Sequence, residues 1–111
     1  MNFFVDRASS RVYVRFQSNT MVQYFIKKRS MRYMDCSLVD VSRNGIGIRI
    51  PASEDIASGM NISLEITVPG SLDRMTLSGR VHRVQHDDTI LVGIKFDISL
   101  EQEVLDKLIL R

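Results

Sequence analysis

"NISLEITV", residues 61–68, decides the fold class. Ile62, Leu64, Ile66 and Val68 fall on one side of an extended chain, and Asn61, Ser63, Glu65 and Thr67 on the other. A period of two marks a strand with one dry and one wet face, because successive side chains leave a strand on opposite sides. The same period recurs on both sides of this stretch. "ILVGIKF" (90–96) groups Ile90, Val92, Ile94 and Phe96, and "MVQYFIKK" (21–28) groups Val22, Tyr24 and Ile26. "CSLVDVS" (36–42), "GIGIRIP" (45–51) and "MTLSGRVHRV" (75–84) complete the set. Turn-forming clusters separate the runs: "SNT" at 18–20, "SRNG" at 42–45, "PASEDIASG" at 51–59, "PGSLD" at 69–73 and "HDD" at 86–88. Six or seven short strands at this spacing predict an all-β antiparallel barrel or sandwich, and no run is long enough for a crossover helix between strands.

The chain end changes period. In "SLEQEVLDKLIL" (99–110), Leu100, Val104, Leu105 and Leu108 form a stripe at helical spacing. Ser99 and Gln102 have capping-box spacing, and Glu101 and Glu103 fall in the first turn, where the helix dipole favours negative charge. One amphipathic helix is predicted, with its stripe either closing a barrel end or packed on a partner.

The 111 residues suit one domain, which buries roughly 65% of its unfolded surface and folds without staples. Hydrophobic residues make up 44% and charged ones 25%, as in ordinary globular domains. The net charge of +2 gives no ground for a general polyanion binder. Its distribution is uneven, however: Arg7, Arg11, Arg15, Lys27, Lys28, Arg29, Arg32, Arg43 and Arg49 make the first half basic, and a basic half attracts anions whatever the net charge. Cys36 is the single cysteine, so no internal disulfide forms, which fits a reducing compartment. "MNFFVD" lacks the basic start and long apolar run of a signal peptide or membrane span, and a cytoplasmic location is expected.

No enzymatic signature occurs: there is no GxSxG, HExxH, Walker A or GxGxxG pattern. His82 and His86 lie on a strand-like run, where four residues span about 13 Å, too far for one metal. The mouth of the "DVSRNGIGIRI" strand (40–50) is more informative. Asp40 and Ser42 share a face by alternation, and Asn44 and Gly45 are the residues that best tolerate positive φ. A tight turn follows, either a plain hairpin in which Asp40 or Ser42 caps turn amides, or one that holds a ligand. Arg7 and Arg11, in "DRASSRV", present two planar guanidinium forks suited to phosphate or to the O6/N7 edge of guanine.

Together, Arg7-x-x-x-Arg11 and Asp40-x-Ser42-x-x-Gly45 at a strand-to-strand turn resemble the PilZ domain family. The resemblance spans nearly the whole chain, since "SGMNISLEITV", "LSGRVHRV", "VGIKF" and the final helix follow in the family's order. It implies a six- or seven-stranded antiparallel PilZ-type β-barrel with one C-terminal amphipathic α-helix over residues 12–111, preceded by a flexible ligand-clamping segment, residues 1–11. It also implies that the chain is no enzyme and needs no cofactor or metal; it binds the bacterial second messenger cyclic di-GMP. Arg7 and Arg11 would then grip a phosphate or guanine edge, Asp40 would accept from guanine N1–H and N2–H₂, Ser42 would bond a phosphate or ribose oxygen, and Gly45 would admit close approach. Arg43 and Asn44 form a second tier of ligand-binding residues. Ligand-driven ordering of residues 1–11 would signal to a partner protein, with no DNA or RNA partner, no membrane insertion and a monomeric state expected.

Two positions depart from the family pattern. Asp6 stands where members often carry another arginine, and its charge is expected to weaken binding of a dianion. Asn44 stands where many have a first glycine of a pair, and Asn tolerates the left-handed conformation. Two other readings compete: an adaptor that keeps the fold and not the ligand, and a barrel for single-stranded nucleic acid using Tyr13, Phe16, Tyr24 and Tyr33 as stacking platforms.

Overall fold

The computed structural model describes residues 12–17, 20–27, 29–68 and 74–110. Six strands appear where the period of two runs: β1 (Met21–Ile26), β2 (Met34–Val41), β3 (Gly45–Ile50), β4 (Asn61–Thr67), β5 (Arg74–His86) and β6 (Ile90–Phe96). All neighbours are antiparallel, and the order β1-β2-β3-β6-β5-β4 closes on itself through the β1–β4 pairing. Of the predicted alternatives, the barrel is the one formed. Closure removes the unpaired edges that a sandwich leaves.

The inward residues are those the alternation assigns. Val22, Tyr24 and Ile26 face Ile62, Leu64 and Ile66, and Ile46, Ile48 and Ile50 face Ile90, Val92 and Ile94, all of them buried. Tyr24 is fully enclosed, and its hydroxyl donates to Glu54 Oε1 at 2.8 Å. Burial first, and then the Glu54 carboxylate, push the Tyr24 phenol well above the ordinary range.

The C-terminal helix, α1, spans Gln102–Leu108 and is shorter than its sequence pattern. Leu100, Leu105, Leu108 and Ile109 join the barrel core, so the stripe closes the barrel and does not wait for a partner. The predicted capping box does not form. The N-cap is Glu101 without a side-chain cap; Ser99 Oγ donates to Asn44 Oδ1 at 2.8 Å, and Gln102 Nε2 donates to Asp106 Oδ1. A turn on another strand outcompetes the helix for the Ser99 hydroxyl.

A short extended strip precedes β1. Tyr13 bridges Val41 and Phe16 bridges Ile109, while Gln17 N donates to the Leu108 carbonyl and Leu110 N to that of Arg15. The strip thus ties the end of β2 to the end of the chain.

Two bulges interrupt the alternation. One residue is inserted in β2 between Leu38 and Asp40, and one in β5 between Val81 and Arg83. Each bulge reverses which face the following residue takes.

Gly79 is the tightest backbone contact among the glycines whose surroundings are described: a Cβ there would lie 2.5 Å from the Lys95 carbonyl oxygen and 2.8 Å from Ile94 Cγ2. Gly79→Ala is therefore expected to lower stability by about 1–3 kcal/mol, read as a fall in the urea midpoint at unchanged slope.

Cys36 faces the core, and its thiol donates to the Val22 carbonyl at 3.4 Å. Burial, reinforced by the Asp35 charge, pushes it up to about 12. An unfolded thiol loses its proton near pH 8.5 or so, and the folded one keeps it. This contribution to stability is complete below the unfolded value and falls as pH rises through the window between the two. Two results are expected: alkylation of Cys36 at pH 8 at least about tenfold slower in the native chain than in denaturant, and an alkaline decline in stability that is shallower in Cys36→Ala.

Candidate functional site

The β2–β3 hairpin carries the site. Without the inserted Val39, Asp40 would share the inward phase of Met34, Cys36 and Leu38. With it, Val41 enters the core at 0% exposure, and Asp40, its neighbour, leaves on the outer wall. Asp40 is nonetheless only 1% exposed. When ionised, such a carboxylate only accepts hydrogen bonds, so an enclosed one has to be met by donors.

Ser42 holds the turn. Its Oγ accepts from the amides of Asn44 and Gly45, both at 3.2 Å, and its own amide donates to the Gly45 carbonyl at 2.9 Å. The capping role foreseen for Asp40 or Ser42 falls to Ser42, and the hydroxyl keeps its proton for one outgoing bond. Gly45 differs from expectation in its reason: it is the first, buried residue of β3, paired with Lys95, and the positive φ among the described glycines belongs to Gly59 at 94°.

Arg43 and Asn44 anchor the turn to the segment after β6. The Arg43 carbonyl accepts from Leu100 N at 2.7 Å, and Arg43 Nε donates to the Leu100 carbonyl at 2.9 Å. The Asn44 carbonyl accepts from Phe96 N at 2.9 Å, and its Oδ1 holds Ser99. The turn is thus held in place by the segment that follows β6.

The other half of the expected site follows from the strip. Tyr13 N donates to the Val41 carbonyl at 2.8 Å, and Val41 N to that of Tyr13 at 3.0 Å, so the chain enters beside Asp40 and Ser42. Arg7 and Arg11, and the expected mobility of residues 1–11, lie outside the described residues.

Sequence reasoning missed the wall next to Asp40. Asp40 pairs with Gly47, and Gly47 with Gly93. Ile46, Ile48, Val92 and Ile94 are all inward, so both glycines take the outward phase and contribute no side chain there, and both are buried. Alternation alone assigns each glycine its face; that the two are neighbours needs the pairing register. Among the described residues, no three His, Cys, Asp or Glu side chains form a group able to hold a metal, and His82 and His86 are exposed on β5. No described helix is long and apolar enough to cross a membrane.

Ser42→Ala leaves two turn amides without their acceptor in a buried site. A loss of about 1–3 kcal/mol is expected in chemical denaturation, with the barrel's far-ultraviolet circular dichroism retained.

Comparison with known proteins agrees with this architecture. The family model for the PilZ domain matches residues 6–111. No curated protein sequence matches. Among solved structures, the inhibitor of motility MotI/DgrA of Bacillus subtilis superposes with a TM-score of 0.67 at 14% identity, over 94% of this chain and 49% of that one. The PilZ domain of YcgR from Escherichia coli, solved with c-di-GMP, superposes with a TM-score of 0.65 at 14% identity, over 93% and 86% of the two chains. The chain thus spans about half the length of the MotI/DgrA chain. At these identities the likeness concerns the fold.

Proposed function

The chain belongs to the PilZ domain family, and we propose that it is a bacterial, cytoplasmic receptor for cyclic di-GMP that acts by binding and not by catalysis. The observation that carries this reading is the bulge at Val39, which sends Asp40 out of the core to the wall beside Tyr13. A carboxylate there accepts from the N1–H and N2–H₂ donors of guanine together, a pair that adenine lacks. Ser42 supplies a hydroxyl for a phosphate or ribose oxygen from a turn already held in place. Arg11 stands two residues before Tyr13 in the sequence, and its guanidinium would bind a phosphate or guanine edge at that surface. Arg7, four residues before Arg11, would take the remaining phosphate or base edge. The YcgR domain was solved with c-di-GMP on the same fold, which supports the choice of ligand.

Signalling follows from where these groups lie in the chain. Ligand held through Arg7 and Arg11 orders residues 1–11 against the wall and changes the surface that a partner protein meets. The single-stranded nucleic acid reading loses support. Tyr24 lies in the core, Tyr13 and Phe16 pack against that core, and Tyr33 packs on Phe25 with ring centroids 5.4 Å apart and planes tilted by 40°. These aromatics form packing contacts and not a stacking row.

Isothermal titration with cyclic di-GMP tests the proposal, with GMP and cyclic di-AMP as controls. Saturable binding of cyclic di-GMP alone is expected. Arg11→Ala or Asp40→Ala should weaken it by about 2–3 kcal/mol or more, roughly 30- to 150-fold, with the fold intact. No heat from the wild-type chain at tens of micromolar would overturn the receptor reading in favour of a ligand-free adaptor. Wild-type-like binding by either variant would overturn the site.

A further inference from the structure

The outer wall continues beyond the glycine pair. Gly93 pairs with Arg83 on β5, so one row crosses four strands as Asp40, Gly47, Gly93, Arg83. Both ends of this row are produced by the same device. In β5, Met75, Leu77, Gly79 and Val81 take the inward phase, and strict alternation would send Arg83 inward too. The inserted His82 gives that phase to Val84, which packs on the core, and turns Arg83 out. Bulges concentrate where a side chain has to be re-aimed. Here two of them re-aim a carboxylate and a guanidinium onto one face, three strand spacings or about 14 Å apart, with two glycines between.

The neighbouring row carries a second observation. Arg80 on β5 and Lys95 on β6 are directly paired, and both are exposed. Like charges opposite one another across strands destabilise a sheet. With Arg83 they place three cations at one end of the glycine strip, and an anion meeting them there offsets that repulsion.

We propose that Arg83, flanked by Arg80 and Lys95, is the second pole of the ligand surface. This rests on the receptor reading above. Asp40 takes the donor edge of one guanine, the ligand lies across the side-chain-free strip, and Arg83 binds the acceptors of its other half. A guanidinium only donates, so its targets are a phosphate oxygen or the O6/N7 edge of the second base.

The test is titration of cyclic di-GMP into Arg83→Glu and Gly93→Val, with Arg32→Glu as a charge control on the exposed β1–β2 connection. Arg83→Glu should weaken binding at least about tenfold with the barrel's circular dichroism retained. Gly93→Val, which adds a side chain at this buried position of the strip without changing charge, should weaken it comparably while the barrel's circular dichroism and cooperative unfolding are retained. Arg32→Glu should stay within about twofold, as expected for a remote, screened charge. If the wild-type chain binds and both wall variants match it, this inference is overturned and the receptor reading stands. Equal loss in Arg32→Glu reduces the effect to net charge and also overturns it. No binding by the wild-type chain overturns both.

Discussion

The structure depends on the strict two-residue alternation of a closed barrel and on the two places where it is broken. Inside the barrel lie isoleucine, valine and leucine side chains at close to zero exposure. A carboxylate in that phase would be a buried charge among apolar groups, whose cost in a protein interior is several kcal/mol. Without the inserted Val39, Asp40 would occupy that phase. The insertion puts Val41 into the core in its place and brings the carboxylate to the outer wall. One local irregularity thus fills the core with Val41 and turns Asp40 outward, with the rest of the hairpin regular.

The turn that follows is stabilised by parts of the chain remote in sequence. Ser42 folds it locally, whereas Arg43 and Asn44 are held by residues 96–100. The strip containing Tyr13 and Phe16 joins the same neighbourhood to Ile109. The strip and the residues around Ile109 therefore meet near the hairpin, and Arg11 directly precedes that strip in the sequence.

Much of this was legible in the sequence. The strands with alternating residues, the helical stripe of Leu105 and Leu108, and the turn at 42–45 follow from period and turn chemistry. The bulges were not legible. "LVDV" carries apolar residues at 38, 39 and 41, so the phase of β2 is ambiguous from either side. In "GRVHRV" both Val81 and Val84 are apolar, three apart, and only the pairing with Ile94 and Val92 shows that both are inward. Ser99 read as a helix cap because its competitor, Asn44, is 55 residues away. Gly45 read as a turn glycine, and Gly47 and Gly93 passed unnoticed, because a glycine's role on a wall is set by its cross-strand neighbour.

The central claim is that ligand lies on the outer wall that the bulges create. The most direct measurement is a nuclear magnetic resonance titration of chain labelled with ¹⁵N-glycine, using cyclic di-GMP. Gly45, Gly47 and Gly93 flank Asp40 on this face, whereas Gly79 faces inward and Gly59 lies in the loop before β4. Saturable shifts of the first three amide resonances are expected, with Gly59 and Gly79 nearly unmoved. Shifts confined to Gly59 and Gly79, or no shift at all, would contradict this claim.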